Sequence, residues 1–141
     1  MASDMEKMMA DYLAAMNAHD AEKTLSFFTD DAVYECTPLG RVSRGKQEIK
    51  DFISSTFTDF PDFKLEMKSA FMAGDRGAGE WVMSGTFAHS SIPEVPATGK
   101  KFSVRGAAIM EFSGGKVSRH TNYWNLAAFL QQVGIMPGPP Q

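Results

Sequence analysis

The chain has 141 residues, one domain's length, and 43% of them are apolar, enough for a single core. Its 14 basic and 17 acidic residues give a formal net charge of −3, which argues against the concentrated basic surface of a nucleic-acid binder. A lone cysteine, Cys36, excludes an internal disulfide and a cysteine-based zinc site; no apolar run approaches a membrane span, and the N-terminus lacks a signal-peptide pattern, so a cytoplasmic protein without membrane contact is expected.

Ser3-x-x-Glu6 has capping-box spacing, and Met5, Met8, Met9, Tyr12, Leu13 and Met16 then recur on one face of a predicted helix over 3–18. Asp20 is placed to cap a second short helix, 21–28, which presents Leu25 and Phe28. Asp30-Asp31 reads as a turn before a first strand, 32–36, where Cys36 reads as packing, and 41–43 reads as a short second strand. A third helix, 46–57, carries Ile49, Phe52, Ile53 and Phe57 on one side.

The period then changes from 3.6 to two. Phe63, Leu65, Met67 and Phe71 alternate with Lys64, Glu66 and Lys68, as in a half-buried strand. Gly74-Asp75-Arg76-Gly77 turns the chain into a strand over 78–89. The loop 90–100, holding Pro93, Pro96 and Gly99, is expected to be mobile. Strands over 101–112 and 116–125 and a short helix over 126–132 follow, with Gly134 and Pro137 to stop it. One domain is expected over 1–136, with a disordered Pro-rich tail at 137–141. Helices first and an antiparallel meander second make an α+β fold, with the helices on one side of a curved sheet.

Several short motifs, in this order, resemble one family. They are Asn17-Ala18-His19-Asp20, Asp30-Asp31-Ala32-Val33, Arg44-Gly45-Lys46, Phe60-Pro61-Asp62-Phe63, Trp81-x-x-x-Gly85-Thr86, Pro96-Ala97-Thr98-Gly99-Lys100, Gly115-Lys116-Val117, Tyr123-Trp124-Asn125 and Gln132-Val133-Gly134-Ile135. Together they resemble the SnoaL-like polyketide cyclases of the nuclear-transport-factor-2-like superfamily, over about residues 4–136. The resemblance implies a cone-shaped half-barrel, a cystatin-like roll whose bent sheet wraps the N-terminal helices around an apolar pocket. It also implies a homodimer through the outer sheet face; no cofactor or metal is expected. The activity it implies is cyclisation, isomerisation or dehydration of a hydrophobic cyclic carbonyl compound, polyketide- or steroid-like, through an enolate-like intermediate. A non-catalytic small-molecule binder and a dimeric protein-interaction module are the alternatives, since the fold licenses a pocket rather than a reaction.

The family's catalytic Asp maps to Asn125, and related chains often read Asp-Tyr-Trp-Asp where this one reads Asn122-Tyr123-Trp124-Asn125. An amide can polarise a carbonyl or anchor an enolate oxygen but cannot act as a general base; equally, Asn125 can cap the last helix. Tyr123, two residues back, shares a strand face with Asn125 and is the second catalytic candidate. Trp81, Met83 and Phe87 share one strand face and, with Tyr12 and Tyr34, are expected either to pack or to line the pocket. His89 could be carried over the pocket by the mobile loop, His19 is expected to satisfy backbone groups in a turn, and His120 to face outward. Arg105 and Glu111 share a face of strand 101–112: if concave, Arg105 binds an anionic group and Glu111 is the base; if convex, both are solvated. Charge sharpens this choice. Residues 1–80 carry 9 basic and 15 acidic groups, whereas residues 81–141 carry 5 and only 2. The three scattered histidines offer no metal-ligand spacing.

Overall fold

The first helix, α1 (Asp4–Asn17), buries Tyr12, Ala15 and Met16 and lays Met5, Met8 and Met9 against the core, as its apolar face predicts. The structure is a computed structural model describing residues 4–138, so the capping role of Ser3 and residues 139–141 of the tail lie outside the described residues. The chain leaves α1 through His19 at φ 56°, a left-handed conformation supported on both sides. The His19 ring stacks on Phe57 at 4.6 Å, and its Nε2 donates to the Phe63 carbonyl at 2.9 Å. The expected backbone role of His19 is what the structure contains.

Asp20 caps α2 (Ala21–Leu25) by accepting from the Lys23 N–H at 3.0 Å. This helix is shorter than its sequence suggests, because Phe28 already belongs to β1 (Phe28–Cys36). Asp30 and Asp31 are not a turn before the strand but an irregularity inside it: Phe28 pairs with Val117 and Val33 with Arg119, so β1 uses five residue steps where its partner uses two. The two exposed carboxylates occupy the extra length. A 3-10 turn at Thr37–Leu39 leads to β2 (Arg41–Arg44), then α3 (Gly45–Asp59), which buries Ile49, Phe52 and Ile53.

The remaining strands are β3 (Lys64–Ala73), β4 (Arg76–Thr86), β5 (Lys101–Ser113) and β6 (Lys116–Trp124), followed by α4 (Leu126–Gln132). They form one curved, unclosed six-stranded sheet in the order β2-β1-β6-β5-β4-β3. The sheet is mixed rather than wholly antiparallel, since β1 runs parallel to β6. The helical excursion through β2 and α3 lies between β1 and the meander, which gives a parallel pair the long connection it needs.

Alternation holds where the strands are regular. Gly77, Gly79, Trp81, Met83 and Gly85 of β4 face inward, opposite Met110, Ala108, Gly106, Val104 and Phe102 of β5. It fails at two bulges. Met67 pairs with Trp81 and Ser69 with Glu80, so Lys68 is an extra residue and Phe71, expected inward, is 68% exposed on the outer face. Glu111 pairs with Arg119 and Phe112 with Val117, so Ser118 is extra in β6. Beneath α4, Phe60, Phe87, Phe102 and Phe129 pack at centroid separations of 4.7–6.0 Å, edge to face except for the tilted Phe60–Phe87 pair. Phe87 and Phe129 are wholly buried, each contributing roughly 2 kcal/mol from apolar area removed from water. This aromatic cluster fills one end of the interior.

Candidate functional site

The other end is not filled. Between α1, α3 and the inner sheet face lies a cavity of about 530 Å³, within the range of small-molecule sites. Trp81 and Met83 of β4 form one wall, Tyr12 and Met16 of α1 another, and Phe52 of α3 a third. The Trp81 indole fits because its strand neighbour is Gly106, where a Cβ would stand 2.5 Å from the ring. Ser91, Ile92 and Pro93 of the loop at 88–100 reach its rim.

Three polar side chains meet on the wall where β1 and β6 run side by side. Asn122 Nδ2 donates to the Tyr34 hydroxyl at 2.6 Å, and His120 Nε2 lies 2.9 Å from Asn122 Oδ1. An amide oxygen only accepts, so His120 carries its proton on Nε2 and a lone pair on Nδ1. That Nδ1 is buried without a hydrogen-bond partner. The imidazole stacks on the Tyr34 ring at 4.6 Å, with the Tyr12 ring 6.1 Å away.

The electrostatics follow from enclosure. Burial pushes the His120 pKa down to about 4, against the opposing effect of its bond to Asn122, so the imidazole is neutral near pH 7. Burial raises the Tyr34 pKa well above its ordinary value; the Tyr12 and Cys36 charges add to this and the Asn122 bond opposes it. Burial raises Tyr12 too. Both phenols therefore keep their protons, and Tyr34, which receives the Asn122 bond, has its own hydrogen for another acceptor. Cys36 also borders the cavity, and burial pushes its thiol up, as suits a packing residue.

Asp59 is the buried carboxylate on the cavity wall. Its Oδ2 accepts from the Ser91 N–H at 2.9 Å and from the Ser91 hydroxyl at 2.6 Å. Its backbone carbonyl accepts from the Ala88 and His89 N–H groups. The loop is thus tied to the end of α3.

Of the catalytic and ligand-binding candidates chosen from sequence, Tyr12, Tyr34, Trp81 and Met83 border the cavity. The others do not. Asn125 accepts from the Ala128 N–H at 2.9 Å and caps α4. Tyr123 pairs with Ala107 on the outer face and is 49% exposed. Glu111 and Arg105 lie on that same convex face, with Arg105 3.7 Å from Glu80. Phe87 belongs to the aromatic cluster under α4, and His89 is exposed on the outside of the loop. Conversely, His120, expected to face outward, turns in with Asn122 because Ser118 shifts the phase of β6, and Asp59 emerges only from the structure. The Asn-Tyr-Trp-Asn string was the right stretch read in the wrong phase; Asp59 carries no local signal. Among the described residues no group of three or more His, Cys, Asp or Glu side chains is arranged to hold a metal ion.

The profile of the SnoaL-like polyketide cyclases matches residues 6–133. The chain belongs to this family. Family membership suggests a cyclase- or isomerase-type enzyme. Solved structures share the fold. AclR of Streptomyces galilaeus, a candidate hydroxylase, is 23% identical with a TM-score of 0.82, over 97% of this chain and 89% of its own. A candidate polyketide cyclase of Pseudomonas putida is 23% identical with a TM-score of 0.82, over 94% and 98%. A protein of Catenulispora acidiphila with a ketosteroid isomerase-like fold, in complex with trimethylamine, is 19% identical with a TM-score of 0.81, over 95% and 98%. At these identities the likeness establishes the cone-shaped fold of the SnoaL-like proteins, and the chemistry must be argued from the cavity.

Proposed function

We propose that this SnoaL-like protein is an enzyme that acts on a hydrophobic cyclic carbonyl compound through an enolate-like intermediate, in a cyclisation or isomerisation. The observation that carries this reading is the Tyr34–Asn122–His120 cluster on the wall of an otherwise apolar cavity. In the proposed reaction His120 Nδ1 takes a proton from the carbon next to the substrate carbonyl. The C–H electron pair becomes the enolate double bond, and the carbonyl π pair moves to oxygen. Tyr34 donates its hydroxyl hydrogen to that oxygen, where charge develops in a low-dielectric site. Asn122 Oδ1 holds Nε2–H in place while the ring is imidazolium. The proton then returns from Nδ1 to another carbon in an isomerisation, or to the alkoxide oxygen formed by aldol-type ring closure. His120 and Tyr34 thus take the roles expected from sequence of other residues.

The test is solvent-deuterium incorporation next to the carbonyl, followed by NMR, over a panel of polycyclic ketones that the wild-type protein binds. His120→Gln should lower the exchange rate by about a hundredfold or more, as for loss of a general base, and Tyr34→Phe should lower it by about tenfold or more. Exchange unchanged in both variants would remove the cluster from the chemistry. A second reading, binding without turnover, is favoured by one observation: the carboxylate on the cavity wall, Asp59, is occupied by Ser91 rather than open to a substrate proton. Tight binding of the ketones with no exchange in the wild type would select it.

A further inference from the structure

The proposed reaction uses the carbonyl end of a ligand; a separate feature bears on the other end. Arg41 on β2 pairs in register with Cys36 on β1, and Cys36 pairs with Asn122 on β6. Paired residues face the same way, so Arg41 shares the inner face with Asn122, two strand spacings or roughly 10 Å away across the sheet. Because β2 is the edge strand, this places a cation at the mouth of the cavity, with Asn122 deeper inside.

The Arg41 guanidinium lies over the Phe52 ring, 4.8 Å from its centroid, and both side chains border the cavity. That stacking holds the planar group while leaving its edge N–H donors available. Among the described residues Arg41 makes no ion pair, whereas Arg105 and Arg119 lie against Glu80 and Glu35. The nearest acidic member of the lining on α3, Asp59, stands seven residues beyond Phe52, roughly 10 Å along the helix, and is engaged by Ser91.

We propose that the ligand is an anion: an apolar ring system carrying a carboxylate, which Arg41 binds at the mouth while the ring carbonyl meets Tyr34 and His120. This rests on the reading of the cavity as a carbonyl-ligand site and names its substrate class. A carboxylate matches the fork of a guanidinium, and the charged pair sits where water can still reach it, so the ligand is not required to bury its charge.

The experiment compares anthraquinone-2-carboxylate with its methyl ester on the 141-residue chain, by titration calorimetry and quenching of Trp81 and Trp124 fluorescence. The wild type should bind the carboxylate about tenfold or more tightly than the ester at low salt, with the ratio falling as NaCl is added. Arg41→Gln should bring the ratio to about one, and Arg41→Lys should keep part of it. Equal binding of the two probes to the wild type, or a ratio preserved in Arg41→Gln, would overturn the anion proposal while leaving the apolar cavity reading in place. Failure of both probes to bind would overturn the two together.

Discussion

His120 is enclosed by the rings of Tyr12, Phe28 and Tyr34, and the titratable groups in contact with it are phenols that stay protonated. A neutral imidazole in such a place links stability to pH. The folded protein holds His120 near a pKa of about 4, whereas the unfolded chain has the ordinary 6.5. Between these values the unfolded state binds more protons, so stability is fully present above pH 6.5 and falls as the pH drops towards 4. The full loss is about 3 kcal/mol. Urea denaturation between pH 4.5 and 7 should show this slope in the wild type and a flatter one in His120→Gln. Equal slopes would mean that the ring is solvated. Nothing at residue level in the sequence forecasts this, because histidine is tolerated on either face of a strand.

At the level of elements, two bulges decide which side chains meet. From Val117, a strict period of two carries Arg119, Thr121 and Tyr123 inward and His120 outward. The extra residue at Ser118 reverses this, and His120, Asn122 and Trp124 turn in. Lys68 does the same for Phe71. A bulge of this kind has no required residue type, which is why the helical periods were legible and these strand phases were not. The loop at 88–100 was legible as a loop, but its fastening to Asp59 was not, since the partners are 32 residues apart. Asp59→Ala should remove both bonds to Ser91, cost about 1–3 kcal/mol, and raise the rate of thermolysin cleavage near Ile92 and Val95. Asp59→Asn, which keeps an acceptor, should be intermediate. Cleavage at the wild-type rate in Asp59→Ala would show that the backbone bonds to Ala88 and His89 suffice.

For the whole molecule, the convex face carries the consequence of those phases. Phe71, Ala78 and Ile109 lie in one row across β3, β4 and β5, and Tyr123 stands in the neighbouring row opposite Ala107. Phe71, Ile109 and Tyr123 are exposed large side chains, flanked by the Arg105–Glu80 pair. We propose that a second copy of the chain covers this face in a homodimer, the arrangement implied by the resemblance. Sedimentation at micromolar concentration should give a dimer for the wild type and a monomer for Ile109→Glu, because an uncompensated carboxylate would be buried in the seam. A monomeric wild type would reject the proposal. The edge strand β3 is managed within one chain. Asn17 accepts from the Leu65 N–H at 2.7 Å and donates to its carbonyl at 2.9 Å, occupying backbone groups that could recruit another strand.

The order of elements, the apolar faces of α1 and α3, the inward set of β4 and the family were all readable in the linear chain. Each is a local property: a period of 3.6 or two, a cap, a turn, or a run of motifs in fixed order. The geometry of the proposed site was not. The Tyr34–Asn122 contact joins residues 88 positions apart, and the union of Arg41, Cys36 and Asn122 in one row needs the parallel pairing of β1 with β6. Asn125, prominent in the sequence, became a helix cap because its amide lies one residue before α4, where its oxygen accepts from the otherwise unpaired first-turn N–H of Ala128. Strand register and bulge position are set by the competition of all side chains for one interior, so only the tertiary structure could decide which polar groups face the cavity.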